Sequence, residues 1–366
     1  MMEDSVVGLY LHIPFCAKKC PYCDFYSLPY RRSHMADYTA AVCRNLAALP
    51  KALTADSIYL GGGTPSLLPF DALQQILDTI RSHCSVEHAE ITLEANPCTM
   101  TDDALQHWLH SGINRLSVGI QSFCDDELKQ LGRNHTAEQS RQAILRAANI
   151  GFSNLSVDLM LGTPLQTAAS LSESIATALS LPITHLSAYM LKIEDGTPFA
   201  ENPPEIADSD TAAERYHQLR SAMLAAGFHH YEISNFAKPG FESRHNLKYW
   251  ECKPYIGIGP GAHSCYGGKR YYAPRSLEQF CSSYHQPIVI DDTEPCSDGE
   301  RLMLGLRLQK GICLQDYPHC SSILLRNAKP LQPRFVTIQD DTLSLTSDGW
   351  LVSNSVLGYL LNGILP

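Results

Sequence analysis

Three closely spaced cysteines constrain this chain more than any other feature of its sequence. Cys16, Cys20 and Cys23 have the spacing CxxxCxxC and come shortly after the apolar run Val6–Ile13. Three thiolates leave one iron of a cubic 4Fe-4S cluster without a protein ligand, whereas the usual ferredoxin pattern supplies four cysteines. Because an open iron can bind a small molecule, the motif predicts a metal centre that takes a ligand.

Zinc is the main alternative, since cysteines two or three residues apart also suit a tetrahedral zinc site. Such a site needs a fourth ligand, and the sequence offers His12 but no second short pair of cysteines or histidines. We therefore favour a cluster. Disulfides are disfavoured, because the cysteine total of 13 is odd and the acidic start at 1–4 is unlike a signal peptide. The cysteines outside the motif are scattered, and we interpret them as small buried apolar residues.

Composition and charge narrow the class of protein. Hydrophobic residues at 44% and charged residues at 18% are typical of a soluble globular chain. No apolar run reaches the roughly 18 residues that a membrane span needs, so we predict a cytoplasmic protein. The net charge of −10 argues against nucleic acid as a partner, because phosphate binding relies on clustered lysine and arginine.

Short apolar strands alternate with helical stretches through the first part of the chain. The predicted strands lie at 6–13, 57–60, 90–93, 115–118, 154–159 and 185–189, and the predicted helices at 36–49, 73–80, 102–110, 137–149, 171–179 and 210–226. This alternation predicts parallel βα units that close into a full or partial barrel. Polar residues follow successive strands, at the face where such barrels carry their sites.

The remainder of the chain changes in character. Residues 228–290 are rich in His, Tyr, Gly and Pro, and we predict a site-bearing extension there. Helices at 301–308, 321–328 and 349–361 accompany a hairpin formed by 335–338 and 342–346, which predicts an α+β domain of winged-helix type. The predicted domains are therefore a barrel at 1–230, an extension at 231–290 and a winged-helix-like domain at 291–366.

Several motifs together carry a resemblance to known proteins. The CxxxCxxC motif resembles that of the radical S-adenosylmethionine (SAM) superfamily, and Gly61–Pro65 resembles its GGxTP element. Five runs resemble the anaerobic (oxygen-independent) coproporphyrinogen III oxidase family, namely Tyr10–Cys16, Gly61–Pro65, Glu94–Pro97, Gly119–Phe123 and Asp158–Pro164. The resemblance implies an α/β fold, a partial (β/α)6 TIM-like barrel that holds a 4Fe-4S cluster and SAM.

The same resemblance implies roles for particular residues and names none as catalytic. Cys16, Cys20 and Cys23 would hold the cluster. Tyr10, Gly62 and Glu94 would contact the cluster-bound SAM. Contacts with a second SAM would come from a further set, Tyr22, Gly63, Thr64, Gln121, Arg133 and Asp158.

Two departures separate the chain from the oxidase branch of this family. That branch carries a further cysteine where Phe25 stands here, and it has an N-terminal extension for which Cys16 leaves no room. The run His245–Trp250 resembles instead the HNxxYW signature of the HemW-like branch, whose members are regarded as heme chaperones. From spacing alone, a single histidine is more often structural than a ligand.

The HemW-like resemblance implies heme as a further cofactor, with His245, Tyr249 and Trp250 as candidate contacts. It also implies a membrane respiratory protein as heme acceptor and a reductant such as flavodoxin or ferredoxin. The basic pairs at 18–19 and 31–32 are either ordinary solvated charge or a docking site for that acidic reductant. Two alternatives stay open, an oxygen-independent coproporphyrinogen III oxidase and another radical SAM enzyme.

Overall fold

A computed structural model describes residues 5–364, so the acidic start at 1–4 lies outside the described residues. Six parallel strands lie side by side in chain order, which confirms the predicted partial (β/α)6 barrel. They are β1 (Val6–Ile13), β2 (Leu53–Gly62), β3 (Glu90–Ala95), β4 (Arg115–Gln121), β5 (Leu155–Leu161) and β6 (His185–Met190).

Helices connect consecutive strands and cover the outer face of this sheet. The helices of the described chain are α1 (Met35–Ala47), α2 (Phe70–His83), α3 (Asp102–His110), α4 (Asp125–Gln130), α5 (Ala137–Ile150), α6 (Ala168–Ser180), α7 (Pro198–Glu201), α8 (Ser209–Ala225), α9 (Arg244–Trp250), α10 (Leu277–Ser282), α11 (Asp298–Gly305), α12 (Ser321–Ala328), α13 (Ser347–Leu351) and α14 (Ser353–Leu360). The short helix α4 was not predicted, because six residues carry too little periodicity. None of the described helices is long and apolar enough to cross a membrane.

The barrel strands separate apolar from polar side chains. In β4, Leu116, Val118 and Ile120 alternate with polar or small residues and pack in the main core beneath the helices. The alternate residues point to the other face, because successive side chains of a strand lie on opposite sides. The barrel interior is therefore lined largely by polar groups, which form hydrogen bonds between neighbouring strands.

The region after residue 228 extends the barrel sheet at both of its edges. His229–Glu232 and Asn235–Ala237 continue it beyond β6, and Tyr255–Ile258 pairs in parallel with β1. Beyond Tyr255–Ile258 come the antiparallel strands His263–Tyr266, Lys269–Tyr272 and Val289–Asp292. No strands were predicted here, since the short apolar runs are interrupted by His, Gly and Pro. The proposed boundaries at 230 and 290 stay a prediction.

A small α+β domain follows at the C-terminus, as predicted. Its antiparallel sheet has the order Ile312–Cys313, Thr342–Leu345, Val336–Gln339, and helices α11 to α14 pack around a separate core. The single helix predicted at 349–361 is wrong, because the structure has α13 and α14 instead. They are separated at Val352, whose φ of −116° and ψ of 30° are not helical.

Candidate functional site

A cavity of about 540 Å³ opens at the carboxyl ends of the barrel strands. The three cysteines of the motif line it together with eight of the nine predicted SAM contacts. These eight are Tyr22, Gly62, Gly63, Thr64, Glu94, Gln121, Arg133 and Asp158. The ninth, Tyr10, lies deeper in the barrel. Residues that are up to 142 positions apart in the sequence, from Cys16 to Asp158, therefore lie around one cavity because of the strand register.

The cysteine loop is held at the rim of this cavity. Cys16 ends a two-residue strand that pairs with Leu28–Pro29, and the backbone N–H of Cys23 donates to the carbonyl of Cys20 at 3.2 Å. Two side chains donate hydrogen bonds to the sulfurs. The Thr64 hydroxyl lies 3.7 Å from Cys16 Sγ, and Arg133 Nη1 lies 3.4 Å from Cys20 Sγ.

The three thiols suit a cluster better than a zinc ion. All three are free and half-buried, and their Sγ atoms do not all lie within 4.8 Å of one another. Tetrahedral zinc with bonds of about 2.3 Å would hold its sulfurs only about 3.8 Å apart. A cubic cluster spaces its thiolates more widely, and hydrogen bonds to the sulfurs tune its potential. When bound, such a cluster supplies a redox-active iron with one open position.

The glycine loop after β2 runs tightly against the cysteine strand. The backbone N–H groups of Gly63 and Thr64 donate to the carbonyls of Ile13 and Phe15, both at 2.8 Å. A Cβ on Gly63 would lie 2.7 Å from the Phe15 carbonyl oxygen, so no other residue fits without a shift. Gly62 has a φ of 115°, which side chains disfavour. These glycines place the loop beside the cysteine loop.

Four carboxyl groups line the cavity, and two of them, Glu94 and Asp158, have raised pKa values. Glu94 accepts hydrogen bonds from the Tyr59 hydroxyl at 2.8 Å and the Gly62 N–H at 3.1 Å, and burial raises its pKa to about 7. Burial likewise raises the pKa of Asp158 to about 6. A cationic ligand would favour the ionised form of both groups, because an opposite charge lowers the pKa of an acid. This part of the cavity suits an ammonium or sulfonium group.

Arg133 supplies the opposite charge. Its Nη2 donates to the Gly119 carbonyl at 2.5 Å, while its buried Nε has no hydrogen-bond partner within the described residues. A buried donor without a partner is costly, and a ligand carboxylate would satisfy it. Gln121 is turned into the same cavity by a bulge in β4 and has a φ of 76°. Carboxyls and a guanidinium together match a ligand with amino and carboxylate groups.

The HNxxYW residues lie elsewhere, in helix α9. His245 is buried next to Gly8, in the barrel interior away from the cavity. Both of its ring nitrogens form hydrogen bonds, Nδ1 with the Ser57 hydroxyl at 2.9 Å and Nε2 with the Tyr249 hydroxyl at 2.9 Å. Burial, with Lys248 nearby, lowers the pKa of His245 to about 3. The imidazole is thus neutral, and both of its nitrogens already have hydrogen-bond partners.

Charged groups hold α9 across the amino-terminal end of the barrel. The Glu90 carboxylate accepts the backbone N–H groups of Arg244 at 3.2 Å and His245 at 3.3 Å, and Lys248 Nζ lies 2.8 Å from Asp56 Oδ1. Sequence analysis missed these partners. The alternation of polar with apolar residues in β2 and β3 is the signal that could have found them. Tyr10 joins the two regions, since its ring lies 6.2 Å from Tyr59 and 6.3 Å from His245.

Comparison with known proteins agrees with this site. The profile of the radical SAM superfamily matches residues 10–178. A solved structure, coproporphyrinogen III oxidase (HemN) from Escherichia coli, superposes with a TM-score of 0.84 at 19% identity, over 98% of this chain and 90% of that one. At that identity the likeness concerns the fold alone. The fold and the cysteine site define a radical SAM protein, which implies a 4Fe-4S cluster and SAM.

Curated relatives identify the family within the radical SAM superfamily. Heme chaperone HemW of Escherichia coli is 40% identical over 72% of this chain and 71% of its own length. Those of Haemophilus influenzae and Bacillus subtilis are 32% and 34% identical, over 97% and 96% of this chain and 98% of each relative. The chain therefore belongs to the HemW family, as the HNxxYW motif predicts.

Proposed function

We propose that this protein is a cytosolic heme chaperone of the HemW type, which binds heme, a 4Fe-4S cluster and SAM and transfers heme to a membrane respiratory acceptor. The observation that carries the proposal is the match to relatives named heme chaperone HemW over nearly the whole chain. The cavity adds physical support, because three thiols, four carboxyls and a guanidinium line one space.

In this proposal Cys16, Cys20 and Cys23 hold the cluster. Glu94 and Gly62 bind the cluster-bound SAM, with Tyr10 supporting them from below. Glu94 carries the charge that suits an amino group, and the Gly62 N–H fixes the Glu94 carboxylate. A second SAM is assigned to the remaining lining set, Tyr22, Gly63, Thr64, Gln121, Arg133 and Asp158.

The reductant is proposed to dock beside the cysteine loop. Lys18, Lys19, Arg31 and Arg32 are all exposed there, and Lys19 also lines the cavity. Flavodoxins and ferredoxins are acidic, so complementary charge would steer them to this side of the barrel. Electron transfer to the cluster would then need no further carrier.

Two places could hold heme. The predicted contacts His245, Tyr249 and Trp250 stay a prediction, and ligation by His245 requires α9 to move and release both ring nitrogens. An apolar group at the cavity mouth is already exposed, formed by Phe25, Tyr189 and Met190. Aromatic rings can pack on a porphyrin face, and a methionine thioether can ligate heme iron.

Heme titration of the anaerobically reconstituted protein tests the proposal. We expect a stoichiometric Soret band in visible absorption. If His245 ligates the heme, His245→Ala weakens the band and Met190→Ala does not. If heme binds at the cavity mouth, Met190→Ala weakens the band and His245→Ala does not. Leu224→Ala serves as the control for Met190→Ala, since Leu224 is 38% exposed and Met190 40%, but Leu224 lies outside the cavity. Absence of heme binding by the wild type, or conversion of coproporphyrinogen to protoporphyrinogen with SAM and reductant, would overturn the proposal.

A further inference from the structure

A second group of cysteines meets far from the cluster loop. Cys252 follows helix α9, Cys265 lies in the strand His263–Tyr266, and Cys296 lies just before α11, whose first turn contains Glu300. The three thiols border a separate cavity of about 580 Å³. The sequence scatters these residues over 49 positions. Cys265 is buried, as interpreted from the sequence, whereas Cys252 and Cys296 are only half-buried.

Their ligand atoms have the spacing of a metal site. The sulfurs of Cys252 and Cys296 and a carboxylate oxygen of Glu300 all lie within 4.8 Å of one another. Cys265 Sγ lies 3.7 Å from Cys296 Sγ. Tetrahedral zinc with bonds of about 2.3 Å requires sulfurs about 3.8 Å apart, which the 3.7 Å between Cys265 and Cys296 matches. Cys265 Sγ is not within 4.8 Å of both Cys252 Sγ and the Glu300 carboxylate, so the Cys265 side chain must turn toward them to complete a set of four ligands.

The backbone is bent to bring two of these thiols together. Cys252 has a φ of 51° and Cys296 a φ of 65°, the left-handed region that residues other than glycine rarely adopt. Such conformations persist where the surrounding structure imposes them, and they concentrate at ligand sites.

Neighbouring groups orient the carboxylate. Glu300 Oε2 accepts the backbone N–H of Cys296 at 2.7 Å, and Glu300 Oε1 pairs with Arg270 at 2.6 Å. Partners of this kind fix the orientation of a metal ligand. Arg270 and the nearby Arg301 also offset the negative charge that several thiolates would bring.

We propose that Cys252, Cys265, Cys296 and Glu300 bind one zinc ion, at a site separate from the 4Fe-4S cluster. The proposal is independent of heme binding. The ion would tie the end of α9 and the strand His263–Tyr266 to the first turn of α11, and so would fasten the barrel to the C-terminal domain.

The test uses the full chain with Cys16, Cys20 and Cys23 all changed to Ala, so that the cluster thiols cannot compete. Elemental analysis after incubation with limiting zinc under reducing, anaerobic conditions should give one zinc per chain. Cobalt titration should give the thiolate charge-transfer absorption of tetrahedral cobalt. In the same background, Cys296→Ser should lose both signals, and Cys265→Ser should weaken zinc binding at least tenfold.

Cys313→Ser is the matched control, because Cys313 is also half-buried but lies outside the group. It should keep the metal. Circular dichroism of each variant confirms folding, and Cys265→Ser supplies the answer if Cys296→Ser does not fold. Zinc binding absent from the parent protein, or retained unchanged in both serine variants, would overturn the proposal. So would a disulfide between Cys252 and Cys296 that persists under these reducing conditions in place of bound metal.

Discussion

At the scale of single residues, the cavity contains carboxyl groups at positions where burial disfavours the ionised form. Glu94 and Asp158 both have raised pKa values because desolvation outweighs their hydrogen bonds. Above its ordinary pKa of 4.5, an unfolded Glu94 loses a proton that the folded protein retains up to about pH 7. The group therefore lowers stability at neutral pH, and a carboxyl that is kept at such a cost is typical of a binding site.

Glu94→Gln should separate these two effects. We expect the variant to be more stable than the wild type at pH 8 by about 1–3 kcal/mol, since a pKa shift of one unit corresponds to about 1.4 kcal/mol. It should also bind SAM at least tenfold more weakly, because the negative charge facing the amino group is gone. Urea unfolding of the apo-protein and calorimetric SAM titration of the reconstituted protein measure the two changes.

Glu87→Gln is the control for this experiment, since Glu87 lies on the surface with its side chain 82% exposed. It should change neither property. Unaltered SAM affinity in Glu94→Gln would contradict the assignment of Glu94 to the SAM site.

At the scale of elements, helix α9 closes one end of the barrel. Gly8 in β1 makes room for it, because a Cβ there would lie 3.0 Å from the His245 ring and 2.8 Å from Lys248 Cδ. The Glu90 carboxylate lies at the amino-terminal end of α9, where a negative charge is favourable. The HNxxYW motif thus has a clear structural role in this fold.

His245→Ala should therefore destabilise the apo-protein by about 2–4 kcal/mol, because it leaves a cavity and two unpaired hydroxyls. Tyr249→Phe removes one hydrogen bond and should cost only about 1 kcal/mol. Urea unfolding measures both values. His110→Ala is the control, since that side chain is exposed at the end of α3. A change as small in His245→Ala as in the control would show that α9 does not depend on this contact.

At the scale of the whole molecule, buried histidines outnumber buried or half-buried carboxyls with raised pKa values. Burial lowers the pKa of five buried histidines, His12, His135, His185, His230 and His245, and partial burial also lowers that of His263. Below about pH 6.5 these histidines bind protons in the unfolded chain but stay neutral in the folded protein. The free energy of unfolding therefore falls as the pH falls. Glu94, Asp158 and Glu232 act in the opposite direction between about pH 4.5 and 7.

The histidines should prevail, so the free energy of unfolding of the apo-protein should fall from pH 7 to pH 5, by roughly 2 kcal/mol per pH unit in the steep part. Urea unfolding at several pH values measures this slope. Glu232→Gln removes one opposing carboxyl and should make the slope steeper. Greater stability at pH 5 than at pH 7 would contradict the proton balance.

Much of the barrel and its site could be predicted from local sequence patterns. The alternation of apolar with polar or small residues in β4 and the cysteine spacing are properties of short stretches. Both can therefore be recognised without knowledge of the fold. The strand Tyr255–Ile258 could not be predicted in this way. Its four residues become a strand because they pair with β1, about 245 residues earlier, and such a distant partner leaves no local signal.

The βα order, the cysteine spacing and the polar residues at the strand ends could be predicted in advance, because each depends on neighbours along the chain. The contacts of His245 and the proximity of Cys252, Cys265 and Cys296 arise only in the folded chain. The physical reason is that these contacts join distant segments. Their distances follow from how helices and strands pack, which no spacing in the sequence records.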